Sequence, residues 1–158
     1  AKTVGIFYNS SEVNSEVQAD QAKQALEAKG VKVEVATVTS TNDVQQTMTS
    51  LAAKVDAIYL PTDNTVASTA STIGEILQEA KVPAMGSDAA VIDATLFTYG
   101  VDYHAIGVQA GELAVKILKG DKPADLPVEK PNTAAVTVNE EMATALGFDA
   151  ETIKALEK

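Results

Sequence analysis

Two polar loops carry the side chains that could bind a small ligand. The first loop follows an apolar run and contains Asn9, Ser10, Ser11, Asn14 and Ser15. Hydroxyl and amide groups donate and accept hydrogen bonds, and the backbone N–H groups of the helix that follows favour an anion. Each residue taken singly has an alternative role in a turn or a helix cap, because the same types dominate turns. The cluster as a whole favours a ligand site.

The second loop, residues 61–65, contributes Asp63 and Asn64. The carboxylate can pair with a ligand cation while the amide orients the ligand, and either residue can equally cap the next helix. Asp88 ends a later strand and is a third candidate contact, for which a capping role is favoured. No nucleophile–base pair stands out, so we predict no enzyme and no catalytic residue.

Composition narrows the class of partner. The net charge is −10, which argues against nucleic acid and anionic membrane surfaces. One histidine and no cysteine predict that no metal site is present. All twelve basic residues are lysine, so a carboxylate ligand must be held by hydroxyl, amide and helix-end N–H groups. Ala1-Lys2 leads directly into a strand, from which we expect no signal peptide in this chain.

Alternating strands and helices must position these loops. Short apolar runs bounded by turn residues predict buried parallel strands. The predicted strands are Lys2–Tyr8, Lys32–Val38, Ala57–Leu60, Val82–Met85 and Leu96–Val101, with a last strand over Ala134–Val138. The alternation predicts an α/β fold: a flavodoxin-like or Rossmann-like three-layer sandwich with a parallel five-stranded sheet of order 2-1-3-4-5. The two loops then face each other across one crevice.

The predicted helices lie between these strands. Asn14 or Ser15 is expected to cap the first helix, with Ser15 and Gln18 forming a capping box. The predicted helices are 15–29, 43–53, 65–80, 89–93, 103–119, 139–146 and 150–156, with an extended connection over 121–132.

Several stretches resemble one known family. The stretches are Tyr8-Asn9-Ser10-Ser11-Glu12, Val55-Asp56-Ala57-Ile58-Tyr59, Pro61-Thr62-Asp63-Asn64-Thr65, Tyr99-Gly100-x-Asp102-Tyr103 and Lys116-Ile117-Leu118-Lys119-Gly120. They resemble the substrate-binding proteins of ABC transporters, of the tryptophan or aromatic amino acid type. They run in family order across nearly the whole chain, and the match corresponds to the C-terminal lobe of such a protein.

The resemblance implies that residues 1–158 form a single lobe of a type I periplasmic binding protein, without a cofactor. The loops matching 9–15 and 63–64 would hold the α-carboxylate and α-ammonium of L-tryptophan or L-phenylalanine. The intact protein would be extracytoplasmic, in the periplasm or at the cell surface, and would dock an ABC permease. One lobe without the first lobe encloses little of a ligand's surface. We therefore expect a dissociation constant in roughly the millimolar range, or no binding.

The long helix predicted over 103–119 needs a partner for its apolar face. In type I proteins the matching helix packs on the first lobe. Here two arrangements are open: the helix folds back onto its own sheet, or it exchanges with a second copy in a homodimer.

The main competing interpretation is a flavodoxin-like, FMN-binding electron carrier. Such a carrier shares the fold and has a phosphate loop rich in Ser, Thr and Asn. However, residues 8–15 contain no glycine for close backbone approach to phosphate, and the chain has no tryptophan to stack on flavin. A receiver domain would need an acidic pair after the first strand, and an effector domain of a sugar-repressor-like regulator would normally accompany a DNA-binding headpiece.

Overall fold

In the computed structural model, which describes residues 1–131 and 134–155, six strands form one sheet. The strands are β1 (Thr3–Asn9), β2 (Lys32–Val38), β3 (Ala57–Leu60), β4 (Ala84–Gly86), β5 (Phe97–Val101) and β6 (Ala134–Val138). Their order is β2-β1-β3-β4-β5-β6. The first five strands are mutually parallel, as predicted, and β6 adds an antiparallel edge strand beside β5.

Within the same described ranges, seven α-helices connect and cover the strands. They are α1 (Val13–Ala28), α2 (Val44–Ala52), α3 (Asn64–Ser68), α4 (Ala70–Ala80), α5 (Tyr103–Leu118), α6 (Glu140–Leu146) and α7 (Ala150–Lys154). Short 3₁₀ turns lie at Thr41–Asp43, Ala89–Ala94 and Pro123–Asp125. The predicted last helix extended to residue 156 and the predicted connection to residue 132, and both of these residues lie outside the described ranges.

Two helix predictions need correction. The single helix predicted over 65–80 is broken at Thr69, whose hydroxyl donates to the carbonyl of Thr65 at 2.8 Å and so competes with the backbone. The first helix begins earlier than predicted, with Glu12 as its N-cap. The predicted capping box is therefore wrong, because the side chains of Ser15 and Gln18 are both bonded to Thr62 instead.

The main core lies on one face of the sheet. Helices α2 and α4 pack there on the strands and form the main core. The largest side chains below 2% exposure in this core include Phe7, Met48, Ile58, Leu60, Ile73 and Leu77. This burial accounts for most of the hydrophobic stabilisation of the lobe.

The opposite face is only partly covered. Helix α1 packs over β1, where Ile6, Tyr8 and Ala19 form a smaller buried cluster. Beside α1, over β3 and β4, lies an open groove of 530 Å³. We call it the α1 groove; its lining is Val4, Gln18, Gln21, Ala22, Ala25, Leu26, Ala57, Ile58, Tyr59 and Met85. In a complete three-layer sandwich, a second helix would lie at this place.

Helix α5 leaves the body of the lobe. None of its described residues is buried. The apolar side chains of Val108, Val115 and Leu118 are 51%, 47% and 86% exposed. In this structure the helix does not fold back onto its own sheet. Among the described helices, none is long and apolar enough to span a bilayer.

Candidate functional site

The candidate site lies at the carboxyl edge of the parallel strands. The loops after β1 and β3 meet there, because the backbone N–H of Asn9 donates to Asp63 Oδ2 at 2.8 Å. The Asn9 amide nitrogen also donates to Thr65 Oγ1 at 2.8 Å. The prediction that these two loops lie together is confirmed, because parallel strand order places both at this edge and they contact each other directly.

Asp63 organises this junction from a buried position. It is 3% exposed, and its second carboxylate oxygen, Oδ1, accepts the N–H of Val66 at 2.9 Å as the cap of α3. The capping role that the sequence offered as an alternative is therefore present. The same side chain also fixes the end of β1 through Asn9.

Glu12 is a residue of this edge that sequence reasoning did not select. Its carboxylate accepts the backbone N–H of Asn64 at 3.0 Å, the side-chain amide of Asn64 at 2.9 Å, and the N–H of Thr65 at 3.2 Å. Burial raises the pKa of Glu12, but these backbone hydrogen bonds outweigh burial and hold the pKa below its ordinary value. Glu12 is thus a second clasp between the two loops.

Thr62 is the third point of contact between the loops. The Asn14 amide and the Ser15 hydroxyl donate to its carbonyl oxygen at 2.8 and 2.9 Å. Its backbone N–H donates to Gln18 Oε1 at 2.9 Å, and the same oxygen accepts the hydroxyl of Ser87 at 3.0 Å. The loop after β4 is thereby tied to α1, so three strand ends share one hydrogen-bond network.

Asp88 lies at this edge but faces α5. Its Oδ1 accepts the N–H of Ala90 at 2.8 Å, so it caps the following 3₁₀ turn as the sequence favoured. Its Oδ2 accepts the phenolic O–H of Tyr103 at 2.6 Å. This hydrogen bond, with burial adding to its effect, raises the pKa of the Tyr103 phenol. Asp88 therefore anchors the first residue of α5.

Part of the edge is open to solvent. Ser10, Ser11, Asn14 and Asn64 are exposed. The backbone N–H of Ser10 donates to the carbonyl of Val38 at 3.0 Å, which ties this loop to the end of β2. Among the described residues, no side chain caps the N-terminus of α1, because the carboxylate of its N-cap residue is bonded to the start of α3. Hydroxyl and amide groups thus lie around the N-terminus of a 16-residue helix, and this positive end of the helix is accessible.

Across residues 1–131 and 134–155, no group of three or more His, Asp or Glu side chains is placed to hold a metal ion.

Comparison with known proteins decides the family. The family profile for ABC transporter substrate binding proteins matches residues 1–154. This chain belongs to the ABC transporter substrate-binding protein family. The match favours the binding-protein interpretation over the flavin carrier, and the relatives are solute-binding proteins rather than enzymes.

Three relatives illustrate the similarity. A tyrosine-binding protein of Clostridioides difficile (strain R20291) is 33% identical over 147 residues, which cover 92% of this chain and 43% of that protein. An ABC domain from Streptococcus pneumonia, solved in complex with L-Trp, is 38% identical with a TM-score of 0.84, over 99% of this chain and 53% of that chain.

The third relative is a substrate-binding protein with adhesive properties from Clostridium difficile, solved in a ligand-free, open form. It is 39% identical with a TM-score of 0.78, over 94% of this chain and 51% of that chain. The chain therefore spans about half the length of these relatives, and it corresponds to one of their regions rather than to the whole.

Proposed function

We propose that this chain is the ligand-binding lobe of an ABC importer substrate-binding protein and that its ligand is an aromatic amino acid. The observation that carries the proposal is the uncapped N-terminus of α1 at the carboxyl edge of the sheet, surrounded by exposed hydroxyl and amide groups. The names of two relatives, a tyrosine-binding protein and an L-Trp complex, support the aromatic class.

The ligand's α-carboxylate would lie at the start of α1. Free backbone N–H groups and the helix dipole stabilise an anion there, and the exposed hydroxyl of Ser11 lies beside this helix end. The amide of Asn14 already donates to the carbonyl of Thr62, so it would support the site by holding the two loops together. Because the chain has no arginine, this helix end is the natural carboxylate receptor.

The α-ammonium would lie on the acidic side of the crevice. Both Asp63 oxygens already accept one backbone N–H, but each carboxylate oxygen can accept a second hydrogen bond. Asn64 and the partly exposed Glu12 carboxylate lie on the solvent side of this group. In this proposal Asp63 supplies the charge and Asn64 orients the ammonium, while Asn9 and Ser15 hold the two loops at the right separation.

Affinity for a free ligand would be low in this chain alone. Closed ligand sites bury about 70–90% of a ligand's surface, whereas this edge is a single wall of a crevice. We propose roughly millimolar dissociation constants for L-tryptophan, L-phenylalanine and L-tyrosine. In a longer protein, a facing lobe would supply the rest of the site, and the protein would work outside the cytoplasm and deliver the ligand to an ABC permease.

The test is an NMR titration of the ¹⁵N-labelled chain with each aromatic amino acid up to about ten times the expected millimolar constant. We expect amide shifts at Ser10, Ser11 and Asn64. A matched pair of variants sharpens the test: Ser11→Asp places a negative charge at the exposed start of α1, and Ser50→Asp places one at an exposed position of α2.

We expect the shifts to disappear with Ser11→Asp and to persist with Ser50→Asp. Equal binding by both variants, or shifts confined to another surface, would overturn the proposed site.

A further inference from the structure

The loop after β4 repeats an arrangement found in the loop after β3. Each loop ends in an aspartate that is more than nine-tenths buried, since Asp63 is 3% exposed and Asp88 is 8% exposed. In each, Oδ1 caps the next helical segment by accepting the backbone N–H of Val66 or of Ala90. In each, Oδ2 takes a second donor, which is the backbone N–H of Asn9 for Asp63 and a side-chain hydroxyl for Asp88.

A direct contact between the two loops sets the separation of these carboxylates. The hydroxyls of Thr62 and Ser87, which precede the two aspartates in the chain, lie 3.3 Å apart. Because β3 and β4 are neighbours in the sheet, their ends are separated by about 4.8 Å. Asp88 is therefore one strand further along the carboxyl edge than Asp63, on the side away from β1.

The proposed pose of the ligand directs its side chain towards Asp88. The α-carboxylate would lie at the start of α1, which follows β1, and the α-ammonium would lie at Asp63, which follows β3. The strand order β1-β3-β4 continues this line to the loop that carries Asp88. An aromatic side chain is longer than the spacing of one strand, so the far end of its ring would reach this loop.

The present partner of Asp88 shows which chemical group its Oδ2 accepts. That group is the phenolic O–H of Tyr103, at 2.6 Å. Tyr103 is 59% exposed, so packing holds only a minor part of its side chain. Tyrosine as a ligand carries the same phenol at the far end of its ring, and the indole N–H of tryptophan is also a donor. Phenylalanine has no donor at this place.

We propose that Asp88 accepts a hydrogen bond from the far end of the ligand's ring and so selects tyrosine and tryptophan over phenylalanine, with the Tyr103 phenol occupying the same carboxylate oxygen until the ligand displaces it. This inference rests on the proposed function, because it needs an aromatic amino acid bound along the carboxyl edge. A buried carboxylate without a donor is costly, so a ligand that exchanges one donor for another is favoured over a ligand that offers none.

Matched ligands test this selection in an NMR titration of the ¹⁵N-labelled chain. L-tryptophan is compared with L-tryptophan methylated at the indole nitrogen, which removes the ring donor and keeps the ring. L-tyrosine is compared with L-phenylalanine in the same way. We expect the member of each pair that has the donor to bind about fivefold more tightly, because it alone forms a hydrogen bond to a charged acceptor.

Two variants separate the roles of Asp88 and Tyr103. Asp88→Asn keeps an oxygen that can cap Ala90 but replaces the other acceptor with a donor, so the preference for a ring donor should disappear. Tyr103→Phe removes the competing phenol and should strengthen binding of L-tryptophan and L-tyrosine by about threefold, with no change for L-phenylalanine. The matched control is Tyr99→Phe on β5, where the tyrosine is 49% exposed, and it should change none of these constants.

The possible results of these titrations have different meanings. Equal dissociation constants within both ligand pairs, with shifts at the start of α1, would leave the proposed function in place and overturn the role of Asp88. Weaker binding of L-tryptophan by Tyr103→Phe would show that the phenol supports the ligand, and it would overturn the displacement. Absence of shifts with all four compounds would overturn the proposed function and this inference with it.

Discussion

Helices α4 and α5 are built alike in sequence but differ completely in their surroundings. Both are rich in apolar residues, and both contain glycine. In α4 the residues Ala70, Ile73, Gly74 and Leu77 are buried against the sheet and its neighbours, whereas none of the described residues of α5 is buried.

The glycines show the meaning of this difference most directly. A Cβ at Gly74 would collide with the backbone carbonyl of Asp93, so glycine is required there by a neighbour that is present. A Cβ at Gly111 would meet no described atom within 4 Å. Apolar pattern and glycine spacing thus specify a surface for packing, but they do not specify whether the partner belongs to the same lobe.

The largest expected difference between the two helices comes from truncating a leucine. Leu77→Ala on α4 should lower the free energy of unfolding by about 2–5 kcal/mol, because Leu77 is fully buried. Leu118→Ala on α5 should change it by less than about 0.5 kcal/mol, since Leu118 is 86% exposed. Urea unfolding of the dilute chain measures both, and equal costs would contradict the distinction between the helices.

Removing a helix cap should also cost more stability at the packed helix α3 than at the exposed helix α5. Asp63→Ala removes the cap of α3 and leaves the buried N–H of Asn9 unpaired, which should cost about 2–4 kcal/mol in unfolding free energy. Asp102→Ala removes the cap of α5, which is not packed on the sheet. Its effect should be faster hydrogen exchange in α5 with little change in global stability. If Asp102→Ala lowered the free energy of global unfolding as much as Asp63→Ala does, this contrast would be refuted.

Replacing glycine by alanine should change stability in opposite directions in the two helices. Gly74→Ala should destabilise the lobe by about 1–3 kcal/mol, because the new methyl group meets backbone that cannot move aside. Gly111→Ala should stabilise α5 by up to about 1 kcal/mol through its higher helix propensity. Thermal unfolding monitored by circular dichroism separates the two, and destabilisation by both would indicate a covered α5 in the dilute chain.

The smallest effect concerns the pH dependence of the Glu12 carboxylate, which lies at the carboxyl edge of the sheet. Because the folded state lowers the pKa of Glu12, its contribution to stability is present above the unfolded pKa near 4.5 and is lost as the pH falls through the folded pKa. Glu12→Gln should cost less than about 1 kcal/mol at pH 7, and this cost should shrink as the pH falls below 4.5.

Urea unfolding at several pH values measures the effect of Glu12→Gln, with Glu27→Gln at an exposed position of α1 as the control. A cost of Glu12→Gln that does not change with pH would show that the charge of Glu12 is irrelevant to this clasp.

Much of the fold could be predicted because it is determined locally. Apolar runs ending in polar loops gave the five parallel strands and their order, since parallel strands and short crossovers leave few topologies. The direction of β6 could not be predicted. That direction depends on the path of the chain from β5 through α5, which the residues of Ala134–Val138 do not themselves determine.

The contact between the two polar loops was predictable, but their hydrogen-bond partners were not. The hydrogen bond between Asn9 and Asp63 confirms that the two loops meet at the carboxyl edge of the sheet. Glu12 was not selected, because its partners Asn64 and Thr65 lie more than 50 positions away along the chain. Likewise Ser15 resembles a cap by its neighbours in sequence, yet its hydroxyl bonds to Thr62 in space.

The pairing of Val101 with Ala134 has a consequence for how this lobe can be altered. These two residues flank the whole excursion through α5, yet they are direct partners in the antiparallel ladder of β5 and β6, so their Cα atoms lie about 5 Å apart. A gap of that size can be closed by a hairpin turn. The segment between these two positions can therefore be replaced: a different helix, or a short turn, can be inserted there without changing the register of the sheet.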